Sequence, residues 1–319
     1  FADVGVGGGL SFMNIASSSG SRALGNSISS EIHNPASLLK SPANIWQYSN
    51  FKFMGTTMSM ELDYGSTYMN SFMGFKRGQS TISLGYVYYK INQLEEYDSD
   101  ANYLGEFMYL NNAIMLGYAK RVSNLVLGVG ANVIYENFSG LGSWAKPNIF
   151  YGFDFGFTFL DLKFGKNFQM TTGGVMKSVF NDSLKIEQSA NSYSALFAKL
   201  STIAYAFNKN NKIYVNYFGD IVFLKALGRY NLNLGMQTDF AIRKSNLRFN
   251  IGAANITIPI NDYSESDTDY LQTSYYNRKI SLGIGVDLPI RNSNFSFDYS
   301  FIFNNVYFDG WYLSFKFER

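Results

Sequence analysis

Lys279-Ile280-Ser281-Leu282-Gly283-Ile284-Gly285-Val286-Asp287-Leu288 is the stretch whose reading decides the fold. Ile280, Leu282, Ile284, Val286 and Leu288 take every second position, and Lys279, Ser281, Gly283, Gly285 and Asp287 fill the places between. Successive side chains of a strand point to opposite faces, so this stretch reads as a strand with one bulky apolar face and one small or polar face. Three more stretches split the same way. Leu232, Leu234, Met236, Phe240 and Ile242 oppose Asn231, Asn233, Gln237, Asp239 and Arg243; Phe295, Phe297, Tyr299 and Phe301 oppose Asn294, Ser296, Asp298 and Ser300; and the aromatic run from Ile149 to Phe159 has Asp154 and Thr158 on its reverse side.

Alternating runs are expected at 43–55, 66–76, 80–92, 107–121, 124–137, 147–160, 167–180, 193–208, 211–222, 229–243, 246–260, 275–290, 294–304 and 310–318. Strands of soluble sheets average about 5 to 6 residues, whereas a tilted strand needs about 9 to 11 to cross hydrocarbon. The long runs therefore point to a membrane. Brief, basic or Asn-rich connections such as Lys76-Arg77-Gly78-Gln79 and Arg121-Val122-Ser123-Asn124 alternate with longer ones at 93–106, 181–192 and 261–274, as in outer-membrane barrels. The expected fold is an all-β, 14-stranded antiparallel transmembrane β-barrel, with residues 43–319 as the barrel. Residues 1–42 break the rhythm and are expected to form an N-terminal arm and a short lumenal hatch. Bacterial outer membrane is the expected location, and its lipid the expected surroundings.

Composition narrows the chemistry. Charged residues make up 16% of the 319, against a usual share of about 25%, and aromatic residues make up 18%. With no cysteine, thiolate metal sites and cysteine nucleophiles are excluded. A net charge of +2, with the basic residues scattered, gives no case for nucleic-acid binding. His33, the only histidine, has no orienting carboxylate nearby, so no enzyme is expected. Asp98, Asp100 and Asn102 have the spacing of a calcium loop, but Tyr103 stands where its glycine is required; no metal or other cofactor is implied.

Asp154, Asp239, Arg243, Arg248, Lys279, Asp287, Asp298 and Lys316 lie on polar strand faces, where mixed signs would pair across the interior, with a polar conduit as the second reading. Tyr86, Tyr88, Tyr214, Tyr217, Trp311 and Tyr312 suit the lipid–water boundary.

The leader carries a family resemblance. Gly9-Leu10-Ser11-Phe12-Met13 is followed by Gly20-Ser21-Arg22-Ala23-Leu24-Gly25 and then by Asn34-Pro35-Ala36-Ser37-Leu38. Together with Gly105-Glu106-Phe107, Leu127-Gly128-Val129-Gly130 and Asp154-Phe155-Gly156, this order resembles the PorV/PorQ group of the FadL superfamily of outer-membrane barrels. The resemblance implies a hatch motif at Arg22, Gly25, Asn34, Pro35, Ala36 and Leu38. It also implies an accessory subunit of type IX secretion or surface attachment that docks protein partners through extracellular loops. Tyr97, Asp98, Asp100, Tyr103, Tyr263, Asp267 and Tyr270 would then supply the contact surface, since tyrosine offers large area at low entropic cost. The alternative is a FadL-like passive channel holding a hydrophobic ligand in its lumen.

Overall fold

The computed structural model describes residues 18–32, 34–46, 53–63, 66–97, 103–139, 147–164, 168–181, 193–205, 212–224, 229–242, 245–258, 279–291, 293–304 and 307–318. Fourteen antiparallel strands among them close into one barrel in chain order: β1 (Phe53–Asp63), β2 (Ser66–Arg77), β3 (Ser80–Tyr97), β4 (Tyr103–Val122), β5 (Leu125–Ser139), β6 (Asn148–Phe164), β7 (Phe168–Asn181), β8 (Tyr193–Tyr205), β9 (Lys212–Leu224), β10 (Arg229–Ile242), β11 (Ser245–Ile258), β12 (Lys279–Ile290), β13 (Ser293–Asn304) and β14 (Tyr307–Glu318). The seam pairs β1 with β14, from Leu62 opposite Trp311 to Met54 opposite Glu318. Closure satisfies the edge hydrogen bonds that hydrocarbon cannot. No helix among the described residues is long and apolar enough to cross a membrane.

Alternation sets the two surfaces. On β4, Asn111, Ala113, Met115, Gly117 and Ala119 are buried inward while Ile114, Leu116 and Tyr118 are exposed outward. Phe153 and Phe155 on β6, Leu196 on β8, Ile251 on β11 and Leu282 on β12 extend the same outward belt. An apolar belt of this extent would associate in water and is at home in lipid. Two-residue turns join strands at one end: Gly78, Ser123 and Arg291 all take positive φ there, the geometry that matches the twist of a tight hairpin.

Two expectations are corrected. The first strand does not span 43–55: Pro42 opens a 3-10 helix over Pro42–Ile45, and β1 begins at Phe53. Proline at the first helical position fixes φ and lacks a donor that would go unused, so it favours a helix start over a ladder. The long loop at 93–106 is also shorter than expected, because Glu95 pairs with Glu106, Glu96 with Gly105 and Tyr97 with Tyr103. Gly105 holds φ at +148°, which admits the register shift beside it.

Candidate functional site: the filled lumen

Among the described residues four short helices run through the barrel interior: α1 (Ser19–Ala23) and three 3-10 turns at Ile28–Glu31, Pro35–Leu39 and Pro42–Ile45. The stretch Pro35–Trp46 meets the wall through apolar contacts. Asn34 caps the Pro35–Leu39 turn by accepting from the Ala36 amide at 3.0 Å, and Pro35 supplies the first helical position. Leu38, Leu39, Ile45 and Trp46 then bury against Tyr68, Phe72, Val87, Met115 and Ile134 of β2 to β5. Inward glycines make room. A Cβ at Gly117 would collide with Leu38, and one at Gly128 would fall on the Ala43 backbone. An ion pair joins this side: Lys177 on β7 lies 2.9 Å from Asp154 on β6, both buried, and also donates to the Leu39 carbonyl at 2.8 Å.

The stretch Ser18–Glu31 is held by polar contacts together with a small apolar cluster in which Ile28 packs with Val175, Ala195 and Phe197. Ser19 donates from its backbone to Ser314 Oγ at 3.1 Å and from its hydroxyl to Ser300 and to the Tyr312 carbonyl. Arg22 lies over the Tyr312 ring at 4.8 Å. Gly25 has φ of +69°, and any side chain there would strike the carbonyls of Leu234 and Ala253. On β9, the Asp220 carboxylate accepts from the hydroxyls of Ser27 (2.8 Å) and Ser29 (3.1 Å) and from the amides of Ile28 and Ser29. An acceptor-only group buried this deeply is satisfied by donors that the inner segment alone supplies here.

Beside this polar half a chamber of about 260 Å³ is lined by Ser21, Ser30 and Asn34 of the inner segment and by Lys199, Arg248 and Lys316 of the wall, among others. Arg248 donates from one terminal nitrogen to both Asp287 oxygens at 2.6 Å and from the other to Asp298 at 2.9 Å, all charge-assisted contacts. Asp239 accepts from Asn216 and Gln237. Lys316 pairs with Glu318. Lys279 begins β12 on the inward face shared with Ser281. Arg243 lies outside the described residues, as do His33, Asp98, Asp100, Tyr263, Asp267 and Tyr270; of Tyr97 only the strand pairing is described, and Tyr103 is exposed. Tyr312 is corrected: it does not sit at the lipid boundary but faces inward beneath Arg22, fully buried. Tyr86, by contrast, faces outward and donates to Asn112 at 2.6 Å.

Sequence reasoning missed Lys177, Asp220 and Trp46. Alternation could have found the first two, since Lys177 shares the inward face of Gly173 and Val175, and Asp220 that of Asn216 and Phe218. Trp46 gave no such signal, because it lies past the end of the last short helix. No group of three acidic or histidine side chains among the described residues could hold a metal ion. Outside, an apolar groove of about 320 Å³ runs over β6 to β10, lined by Phe155, Met176, Leu196 and Ile221.

No protein-family model matches the chain, and no curated protein matches it. Solved structures do. The chain is similar to the Pseudomonas putida toluene transporter TodX, with a TM-score of 0.53, 9% identity, and coverage of 94% of this chain and 96% of that one. A variant described as the TodX monoaromatic hydrocarbon channel deltaS2 mutant gives a TM-score of 0.53, 10% identity and coverage of 94% and 98%. Against CdiB from Acinetobacter baumannii the TM-score is 0.43 at 9% identity, with 83% of this chain spanning 59% of that one. With its closed sheet and lipid-facing belt, the chain is an outer-membrane β-barrel with the fold of the toluene transporter TodX.

Proposed function

We propose that the protein is a passive outer-membrane channel for small hydrophobic molecules, with residues 18–46 acting as its hatch. The observation that carries this reading is the apolar seat around Leu38, enclosed by β2 to β5 inside a barrel whose fold matches a toluene transporter over nearly its whole length. Glycine, serine and asparagine on the inward faces do not argue against apolar cargo. Gly117, Gly128, Gly235, Gly252 and Gly283 are small because the inner segment presses on them, so their size reports the hatch and not the cargo.

Gly252 offers the test. A Cβ there would fall on the backbone nitrogen of Gly25, where neither group can yield without moving the chain. Gly252→Val should therefore displace the hatch and raise toluene entry into liposomes carrying the refolded barrel. Entry no faster than through protein-free liposomes, for both wild type and variant, would sink the channel reading.

Docking of protein partners, the role implied by likeness to the PorV/PorQ group, is the second reading. Its motif residues Arg22, Gly25 and Asn34 to Leu38 serve in packing the hatch, and of its named loop tyrosines Tyr103 has an exposed side chain. A partner that co-purifies from native membranes and is lost on deleting 98–102 would favour it.

A further inference from the structure

Two pairs of neighbouring cations, Lys76-Arg77 and Lys120-Arg121, stand at the short-turn ends of β2 and β4. Strand alternation splits each pair. Lys76 and Arg121 stack on the Trp46 indole, at 5.0 and 4.8 Å from its ring centroid, and Trp46 donates to the Gln79 carbonyl. Arg77 and Lys120 face outward and are exposed. Register sets Arg77 opposite Ser80 and Ser80 opposite Lys120, so the three form one row across β2, β3 and β4.

The next outward row up the wall is Phe75, Ile82 and Tyr118, exposed by 45%, 49% and 40%, with the Tyr118 and Ser80 hydroxyls 2.9 Å apart. Among the described residues no carboxylate pairs with Arg77 or Lys120, and Glu106, the acid of β4, lies at the opposite end of that strand. Two cations and two hydroxyls thus lie directly beneath an apolar, ring-bearing wall.

We infer that this row binds the headgroup of an anionic phospholipid whose acyl chains lie along Phe75, Ile82 and Tyr118. Arg77 and Lys120 sit two strands apart, about 10 Å between backbones, a gap that long side chains close from both sides. Arginine grips phosphate oxygens bidentately and lysine adds a point charge. A free phosphate would meet the cations alone, whereas one lipid molecule reaches both the cations and the exposed faces of Phe75, Ile82 and Tyr118. Lys76 and Arg121 cannot take this role, because Trp46 holds them inside. A lipid with two phosphates fits the two separated cations best, which makes cardiolipin the probe.

The test titrates cardiolipin onto the full chain in a neutral detergent and counts bound lipid by native mass spectrometry. Arg77→Gln/Lys120→Gln should weaken binding about thirty-fold, as expected for two interfacial cations. Lys90→Gln, which removes an outward cation farther along β3, away from the Ser80 row, should leave it unchanged. Inorganic phosphate should not displace the lipid, and phosphatidylcholine with the same chains should bind weakly. Equal retention by the double variant, or full displacement by phosphate alone, would overturn the assignment. Should the double variant fail to refold, salt screening on the wild type decides, since cardiolipin retained undiminished in high salt is incompatible with these two cations holding it.

Discussion

The inner segment meets the barrel in two different ways on its two sides. Toward β2 to β5, Leu38, Leu39 and Ile45 are buried to completion among Phe72, Val87, Met115 and Ile134, and burial of each such side chain contributes about 1.5 to 3 kcal/mol. Toward β9 to β14, Ser19 binds Ser300 through a hydrogen bond worth about 0.5 to 1.5 kcal/mol net, and Ser27 and Ser29 bind the Asp220 carboxylate through bonds worth about 1.5 to 3 kcal/mol each. A polar chamber already adjoins that second side. The difference teaches that the two halves are held by unlike contacts: residues 35–46 mainly by apolar burial, and residues 18–31 mainly by hydrogen bonds, with Ile28 in a small apolar cluster beside Val175 and Phe197.

The largest expected effect comes from the Lys177–Asp154 ion pair, the most deeply buried among the described residues. Lys177→Met leaves Asp154 buried without its cation and frees the Leu39 carbonyl, so denaturant titration of the refolded barrel should show a loss of about 3 to 5 kcal/mol. A loss below about 1 kcal/mol, the scale of an exposed pair, would mean that the apolar half does not lean on this contact. Next comes Leu38→Ala, with an expected loss of about 3 kcal/mol and faster proteolysis of 35–46. Wild-type protection of that stretch in the variant would erase the distinction between the two halves. Smallest is Asp220→Asn, about 1 to 3 kcal/mol, read by hydrogen exchange. The Ile28 and Ser29 amides should lose protection while those of Lys40 and Ser41, bonded to the Ser37 carbonyl, keep theirs. Loss of protection in both halves together would show that the segment moves as one body.

Much of the barrel was legible because a strand bathed in lipid on one face and packed on the other has no choice but to alternate. The run 124–137 was expected and Leu125–Ser139 is found; 229–243 was expected and Arg229–Ile242 is found. Where two media do not flank the chain, the pattern loses its meaning. Ala43 to Ile45 alternate by accident inside a 3-10 turn that Pro42 starts. Glu95 and Glu96 read as loop because charge is scarce in strands, yet the β3–β4 hairpin continues through them.

The site was legible in part. Asp287, Asp298 and Arg248 announced themselves as charges on otherwise small faces, and the register brings all three together on β11, β12 and β13. Trp46 and its two cations had no periodic mark, since what joins them is a turn-end geometry and not a repeat.

By itself, the sequence determined that the chain alternates, crosses hydrocarbon with strands and closes on itself, because each of these follows from which side chains can face lipid. Only the tertiary structure decided which inward glycine receives which part of the inner segment, and hence that the lumen is filled. Those contacts join Ser19 to Ser300, Ser27 to Asp220 and Leu38 to Gly117, far apart along the chain, and no local preference encodes a partner that distant.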